Sequence, residues 1–197
     1  MITPADRILV IAPHADDELI GMGGSLLKWK SAGAKIHIVL IACSDVEMVH
    51  TGSVVSGDTR ASEFKEVCEQ ISNTTPIILD FKDSFLDTYP ISEIVTKLDK
   101  IIVEFRPTVV VYPEPSYHQD HQVVNRACTA SLRPTKIFRP DLIMAYEIPT
   151  STWVGSSTPF TPNLFIDITE HMEEKISLFE ELYKSQFTIA ERQKLAS

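Results

Sequence analysis

Arg7-Ile8-Leu9-Val10-Ile11-Ala12-Pro13-His14-Ala15-Asp16-Asp17-Glu18 is an apolar run that stops abruptly at a cluster of ligand-type side chains. Its first half, Arg7 to Ala12, reads as a strand, and similar Val/Ile-rich runs recur at Lys35 to Ala42, Pro76 to Asp80, Thr108 to Tyr112, Asp141 to Glu147 and Asn163 to Ile168. Nearly unbroken apolar strands separated by helical segments are the signature of a parallel sheet covered on both faces. The fold class is therefore α/β, with helices in the intervals.

One such interval is explicit. Ile94, Val95, Leu98, Ile101, Ile102 and Phe105 share one face at helical spacing, and Arg106-Pro107 ends the pattern. A second helix is expected to start at Asp58, with the carboxylate capping the next amides and Phe64, Val67, Cys68 and Ile71 turned inward. A last one follows Thr169, with Glu170, Glu173 and Glu174 complementing its dipole and Met172, Ile176, Phe179 and Tyr183 facing the core. Two irregular stretches, Cys43 to Gly57 and Pro149 to Pro162, are long enough to be functional loops.

The composition narrows the function. The chain has 197 residues, 44% of them hydrophobic, with a formal net charge of −9. A domain of this size buries roughly 70% of the surface of its unfolded chain, so it needs neither disulfides nor a structural metal. An acidic balance argues against nucleic acid, whose recognition requires a clustered Lys/Arg field. The longest apolar run, Ile36 to Cys43, contains a histidine and is far short of the roughly 20 residues of a membrane span. The N-terminus lacks a basic region ahead of an apolar stretch, so a cytoplasmic location is expected. Cys43, Cys68 and Cys128 show no CxxC spacing and read as reduced packing thiols.

The chemistry lies at two strand ends. The first strand runs into His14, Asp16 and Asp17; the fourth is followed by Tyr117-His118-Gln119-Asp120-His121. In the doubly wound order third-second-first-fourth-fifth, strands one and four are neighbours where the winding reverses, which is where open α/β sheets bind ligands. His and Asp donors without Cys suit a catalytic zinc ion with one position left for water, and His14, Asp17 and His121 are candidates for that set. Asp16 is placed to take a proton from the water, His118 to donate to an oxyanion, and Asp120 to hold the His118 ring and favour its imidazolium. Helix capping alone accounts for one of these acids but not for His at both strand ends. His37, His50 and His171 stand apart and read as structural or solvated. Gly21-Met22-Gly23-Gly24 has Leu26 where a dinucleotide fingerprint has its third glycine, and so reads as close helix packing.

The order strand, Pro13-His14-Ala15-Asp16-Asp17-Glu18, Gly23-Gly24 and, much later, His118-Gln119-Asp120-His121 resembles the PIG-L or LmbE-like zinc-dependent deacetylases. Arg60-Ala61-Ser62-Glu63 looks like their R-x-x-E, and Asn163 to Ile168 with Lys175 and Ser185-Gln186 looks like their C-terminal signature. The resemblance implies a Rossmann-like three-layer sandwich over a single domain, residues 1–197, that removes an N-acetyl group from a glucosamine-type sugar or glycoconjugate with one Zn²⁺ per chain. It also implies His14, Asp17 and His121 as zinc ligands, Asp16 as general base, His118 as electrophilic partner, Asp120 as its modulator and Arg60 at the substrate.

The sequence departs from the pattern in three places. Ala15 stands where proline is commonest, and Cys43-Ser44-Asp45-Val46-Glu47 replaces a Thr-x-Gly-based loop beside the site. The chain also stops soon after Ser185-Gln186, where many members continue, so a neighbouring subunit of a homo-oligomer is one source of the pocket rim. Two alternatives are a metal-dependent phosphoester hydrolase, which generally needs more carboxylates than this sequence offers, and a non-catalytic glycan-binding homologue, which has no use for Asp16. Arg60 either recognises an anionic group on the substrate or braces the loop through Glu63 or Asp45. Tyr117 and Trp153 are candidate platforms for a sugar ring.

Overall fold

β-Branched residues favour a pleated backbone, and the runs that carry them become the strands of one sheet. In the computed structural model, which describes residues 2–48, 52–136, 138–148 and 160–187, these are β1 (Arg7–Ala12), β2 (Lys35–Ala42), β5 (Ile77–Phe81), β6 (Val109–Pro113) and β7 (Leu142–Tyr146). They pair in parallel in the order β5-β2-β1-β6-β7. This is the third-second-first-fourth-fifth order expected, with β1 and β6 side by side at the reversal.

Successive residues of β1 point to opposite faces and feed two hydrophobic layers. Ile8, Val10 and Ala12 join Leu19 and Leu26 of α1 (Asp17–Ser31), Phe64 and Val67 of α2 (Gly57–Ile71) and Phe179 of α5 (Met172–Leu182). Leu9 and Ile11 join Ile94, Leu98 and Ile102 of α3 (Ile91–Phe105) and Val124 and Ala127 of α4 (Gln119–Ser131). The result is helix, sheet, helix: an α/β three-layer sandwich. Helix α3 ends as read, with Arg106 in the left-handed conformation at φ 50° ahead of Pro107.

Four local expectations are corrected. The stretch after β2 is not irregular: β3 (Val46–Met48) and β4 (Ser53–Val55) form an antiparallel hairpin. Helix α2 is capped by Ser56, whose Oγ accepts from Thr59 N at 3.2 Å, so Asp58 falls in the first turn. Asn163 to Ile168 joins no ladder. It meets a helix instead, because Gly24 of α1 leaves room for the Ile168 side chain where a Cβ would collide with it. Phe165 of the same stretch is 80% exposed. Finally, Met172 is exposed at 43%, while Phe179 and Tyr183 do reach the core.

The three cysteines are free, Cys68 and Cys128 buried and Cys43 partly so. His37 is structural, bonded through Nδ1 to Thr74 Oγ1 at 2.9 Å. His171 sits beside Glu174, away from the strand ends. His50 and Trp153 lie outside the described residues. Among the described residues no helix is long and apolar enough to cross a membrane.

Candidate metal centre

Helices α1 and α4 begin inside the two His/Asp clusters, so each cluster is a strand-to-helix turn at the carboxyl edge of the sheet. The pairing of β1 with β6 then brings the turns together across about 100 residues of sequence. His14 Nδ1 lies 3.4 Å from Asp17 Oδ2 and 3.3 Å from His121 Nε2, and His121 Nε2 lies 3.3 Å from Asp17 Oδ2. Tetrahedral ligands about 2.0–2.1 Å from a metal are about 3.4 Å from one another. The three donor atoms therefore have the mutual spacing that a divalent cation requires.

The opposite nitrogen of each ring supports that assignment. His14 Nε2 is 2.9 Å from Asp120 Oδ2. A carboxylate can only accept, so Nε2 carries a proton, and Nδ1 is the nitrogen turned toward Asp17 and His121. Asp120 is held in turn by the amides of Ser84 at 2.7 Å and Leu86 at 3.0 Å. His121 Nδ1 is 2.8 Å from Ser116 Oγ, which leaves its Nε2 for the shared point. Among the described residues two other groupings of donor atoms within 4.8 Å include His14, one with His118 and His121, the other with Asp83 and Asp120. The second lies on the protonated side of His14. In the first, His118 Nδ1 already accepts the Asp120 amide at 3.2 Å.

That bond corrects one expectation. The Asp120 carboxylate does not hold the His118 ring; it serves His14, and only its backbone N–H reaches His118. Burial, together with the neighbouring imidazoles of His14 and His121, lowers the His118 pKa, which favours a neutral ring over the expected imidazolium. With Nδ1 accepting, Nε2–H is the donor that remains.

Asp16 stands between His14 and Asp17 in the first turn, with φ 137° and ψ −29°. A non-glycine residue there stores on the order of 1–3 kcal/mol of strain, and such strain gathers at functional sites. Burial, then the charges of Asp17 and Glu18, push its carboxyl well above the ordinary carboxylate range. Among the described residues no hydrogen bond engages that carboxylate.

Arg60 is only 4% exposed and takes neither of the partners expected for it. Its Nη1 bonds Asp83 Oδ2 at 2.5 Å and the Ser44 carbonyl at 3.1 Å, and its Nε donates to Gln186 Oε1 at 2.8 Å. Glu63 instead accepts from Ser185, and Asp45 from the Gly57 amide. Asp83, whose Oδ1 is 3.6 Å from His14 Nε2, and Ser116 are neighbours of the site that the sequence does not single out, whereas Gln186 enters there only as part of the C-terminal signature, with no partner assigned. Asp83 had a signal: it is an acid just past a strand's carboxyl end, as Asp16 and Asp120 are. Tyr117, beside His118, is 52% exposed. A cavity of about 920 Å³ between α1 and β7 holds none of these site side chains.

The family model described as PIG-L, GlcNAc-PI de-N-acetylase, matches residues 9–132, which contain both clusters. The chain belongs to the PIG-L family. This PIG-L chain is 30% identical over 193 residues to a diacetylchitobiose deacetylase of Thermococcus kodakarensis, covering 92% of the chain and 70% of that relative. It is 27% identical over 176 residues to a probable N-acetyl-alpha-D-glucosaminyl L-malate deacetylase 2 of Bacillus cereus, covering 84% and 78%. Its fold matches an N,N'-diacetylchitobiose deacetylase from Pyrococcus horikoshii with a TM-score of 0.76 at 25% identity, over 96% of this chain and 73% of that one.

Proposed function

We propose that this PIG-L chain is a zinc-dependent N-deacetylase that hydrolyses the acetamide of an N-acetylglucosamine-type sugar or glycoconjugate. The reading is carried by one observation, the convergence of His14 Nδ1, Asp17 Oδ2 and His121 Nε2 within 3.4 Å of one another. It is supported by relatives whose names describe deacetylases of such sugars. Zinc bound by these atoms supplies polarisation of the amide carbonyl and acidification of a water.

The chain's own groups supply the rest. Asp16, with its raised proton affinity, accepts the proton of the attacking water and returns it to the departing amine nitrogen. The neutral His118 donates from Nε2 to the oxygen that becomes negative as the carbonyl carbon turns tetrahedral. Asp120 acts through His14, holding the ring so that Nδ1 stays available. Arg60 and Asp83 form a buried pair at the wall of the site, and exposed Tyr117 offers an apolar face for a sugar ring. Acetate release from a panel of N-acetylated sugars, free and joined to different aglycones, tests the reading, with metal content measured on the same samples. Stoichiometric zinc without acetate release from any of them would falsify it.

A further inference from the structure

Asp16 cannot hold φ 137° unaided, so something must fix the peptide that joins it to Ala15. Both polar atoms of that peptide are fixed, and both lead to the segment that follows α5. The Ala15 carbonyl accepts from Gln186 Nε2 at 3.1 Å. The Asp16 N–H donates to Glu18 Oε2 at 3.2 Å, and the other oxygen of Glu18 accepts from the Tyr183 hydroxyl at 2.5 Å. Gln186 is not free to turn its amide over, because Oε1 accepts from Arg60 Nε at 2.8 Å. Ser185 anchors the segment by donating from N and Oγ to the two oxygens of Glu63, at 2.9 and 2.7 Å. Ala15, Glu18 and Tyr183 are fully buried, so water cannot take over these bonds.

We infer that Tyr183 to Gln186 form a clamp on the Ala15–Asp16 peptide, and that Tyr183 and Gln186 are positioning residues for turnover. The inference rests on reading Asp16 as the proton carrier. Packing the segment after α5 onto the domain needs only apolar contact, whereas these bonds converge on the strained peptide of the first turn. A change of φ at Asp16 swings its side chain about the N–Cα bond. The proposed metal ligands do not depend on the clamp: His14 is held by Asp120, Asp17 accepts from the His14 amide at 3.0 Å, and His121 is held by Ser116. Loss of the clamp should therefore cost turnover and leave metal binding alone.

Two conservative variants separate the bonds. Gln186→Glu keeps an acceptor for Arg60 but has no donor for the Ala15 carbonyl; Tyr183→Phe removes only the hydroxyl. In each, kcat should fall about tenfold with KM and zinc stoichiometry unchanged, the pattern of an interaction that acts on turnover rather than on binding. Amide hydrogen exchange at Asp16, measured on the metal-free protein, should rise by about tenfold as well. Ser185→Ala, which loosens only the outer anchor, should move both in the same direction by less. Unchanged exchange at Asp16 in Gln186→Glu and Tyr183→Phe overturns the clamp whatever the activity, and raised exchange with unchanged kcat overturns its role in positioning. A wild-type chain that releases no acetate, with the exchange response intact, overturns the reading of Asp16 and supports the clamp.

Discussion

His14 and His121 aim one nitrogen each at the same point, yet their other nitrogens are held differently. Behind His14 stands a carboxylate, Asp120, itself pinned by two backbone amides, with Asp83 close by. Behind His121 stands the neutral hydroxyl of Ser116. Charged support strengthens a ring's grip on a proton as much as its donation to a metal, while a hydroxyl only orients. Burial alone would lower His14, but the hydrogen bonds to Asp120 and Asp17 and the charges of Asp17 and Asp83 outweigh it and raise its pKa to about 10. The metal-free centre thus holds a proton at His14, and the difference in what supports the two rings is open to experiment.

The largest effects come from removing a group outright. His121→Ala should lose the metal, whereas Asp16→Ala should keep it and reduce acetate release by about 10²–10⁴-fold, the usual worth of a positioned general base. Metal content and initial rates on the same preparations decide this, and a fully active Asp16→Ala would remove Asp16 from the mechanism. Next comes the charged support. Asp120→Asn should weaken zinc affinity by about 100-fold, the upper end for a residue behind a ligand, as read by competition with a chromogenic chelator.

The stored proton predicts a pH dependence of definite sign. A metal ion competes with it for Nδ1, so zinc affinity should rise with pH by on the order of tenfold per unit until about 10, and proton release should be visible by calorimetry in buffers of different ionisation enthalpy. In the metal-free protein the folded state holds this proton more tightly than the unfolded chain, whose His titrates near 6.5. The stability it confers is complete below about 6.5 and is lost as the pH rises through about 10, so the melting temperature of the stripped protein should fall across that window. Asp120→Asn should flatten both curves. The smallest effect belongs to the neutral support: Ser116→Ala should weaken zinc by about tenfold and leave the slope with pH as it was. Equal losses in the two support variants would erase the distinction between the two rings.

Much of the fold is legible in the sequence because parallel strands buried on both faces must be written as Val/Ile runs. Arg7–Ala12, Lys35–Ala42 and Val109–Pro113 can be found in that way, and so can the apolar stripe of α3. Asn163 to Ile168 carries the same kind of residues and forms no strand, since what Ile168 meets is a helix surface opened by glycine. The β3–β4 hairpin is too short for its pattern to stand out from a loop. Within the site, the His/Asp clusters are conspicuous because few other roles need that combination. Ser116 belongs to a common residue type, and its importance depends on what lies opposite it; Gln186 is legible as part of a signature, but its partners are not.

Taken by itself, the sequence determined the α/β layering, the placing of two ligand-rich turns at strand ends, and the donor types that meet there. Only the tertiary structure decided which nitrogen of each histidine faces the shared point, that Asp120 serves His14 rather than His118, and that Arg60 pairs with Asp83. It also decided that the chain returns at Gln186 to hold the Ala15 carbonyl, 171 residues away. The reason is physical: residue identity fixes what a group can donate or accept, but a hydrogen bond selects its partner by a few tenths of an ångström and by direction. Those quantities exist only once the sheet has brought distant turns side by side.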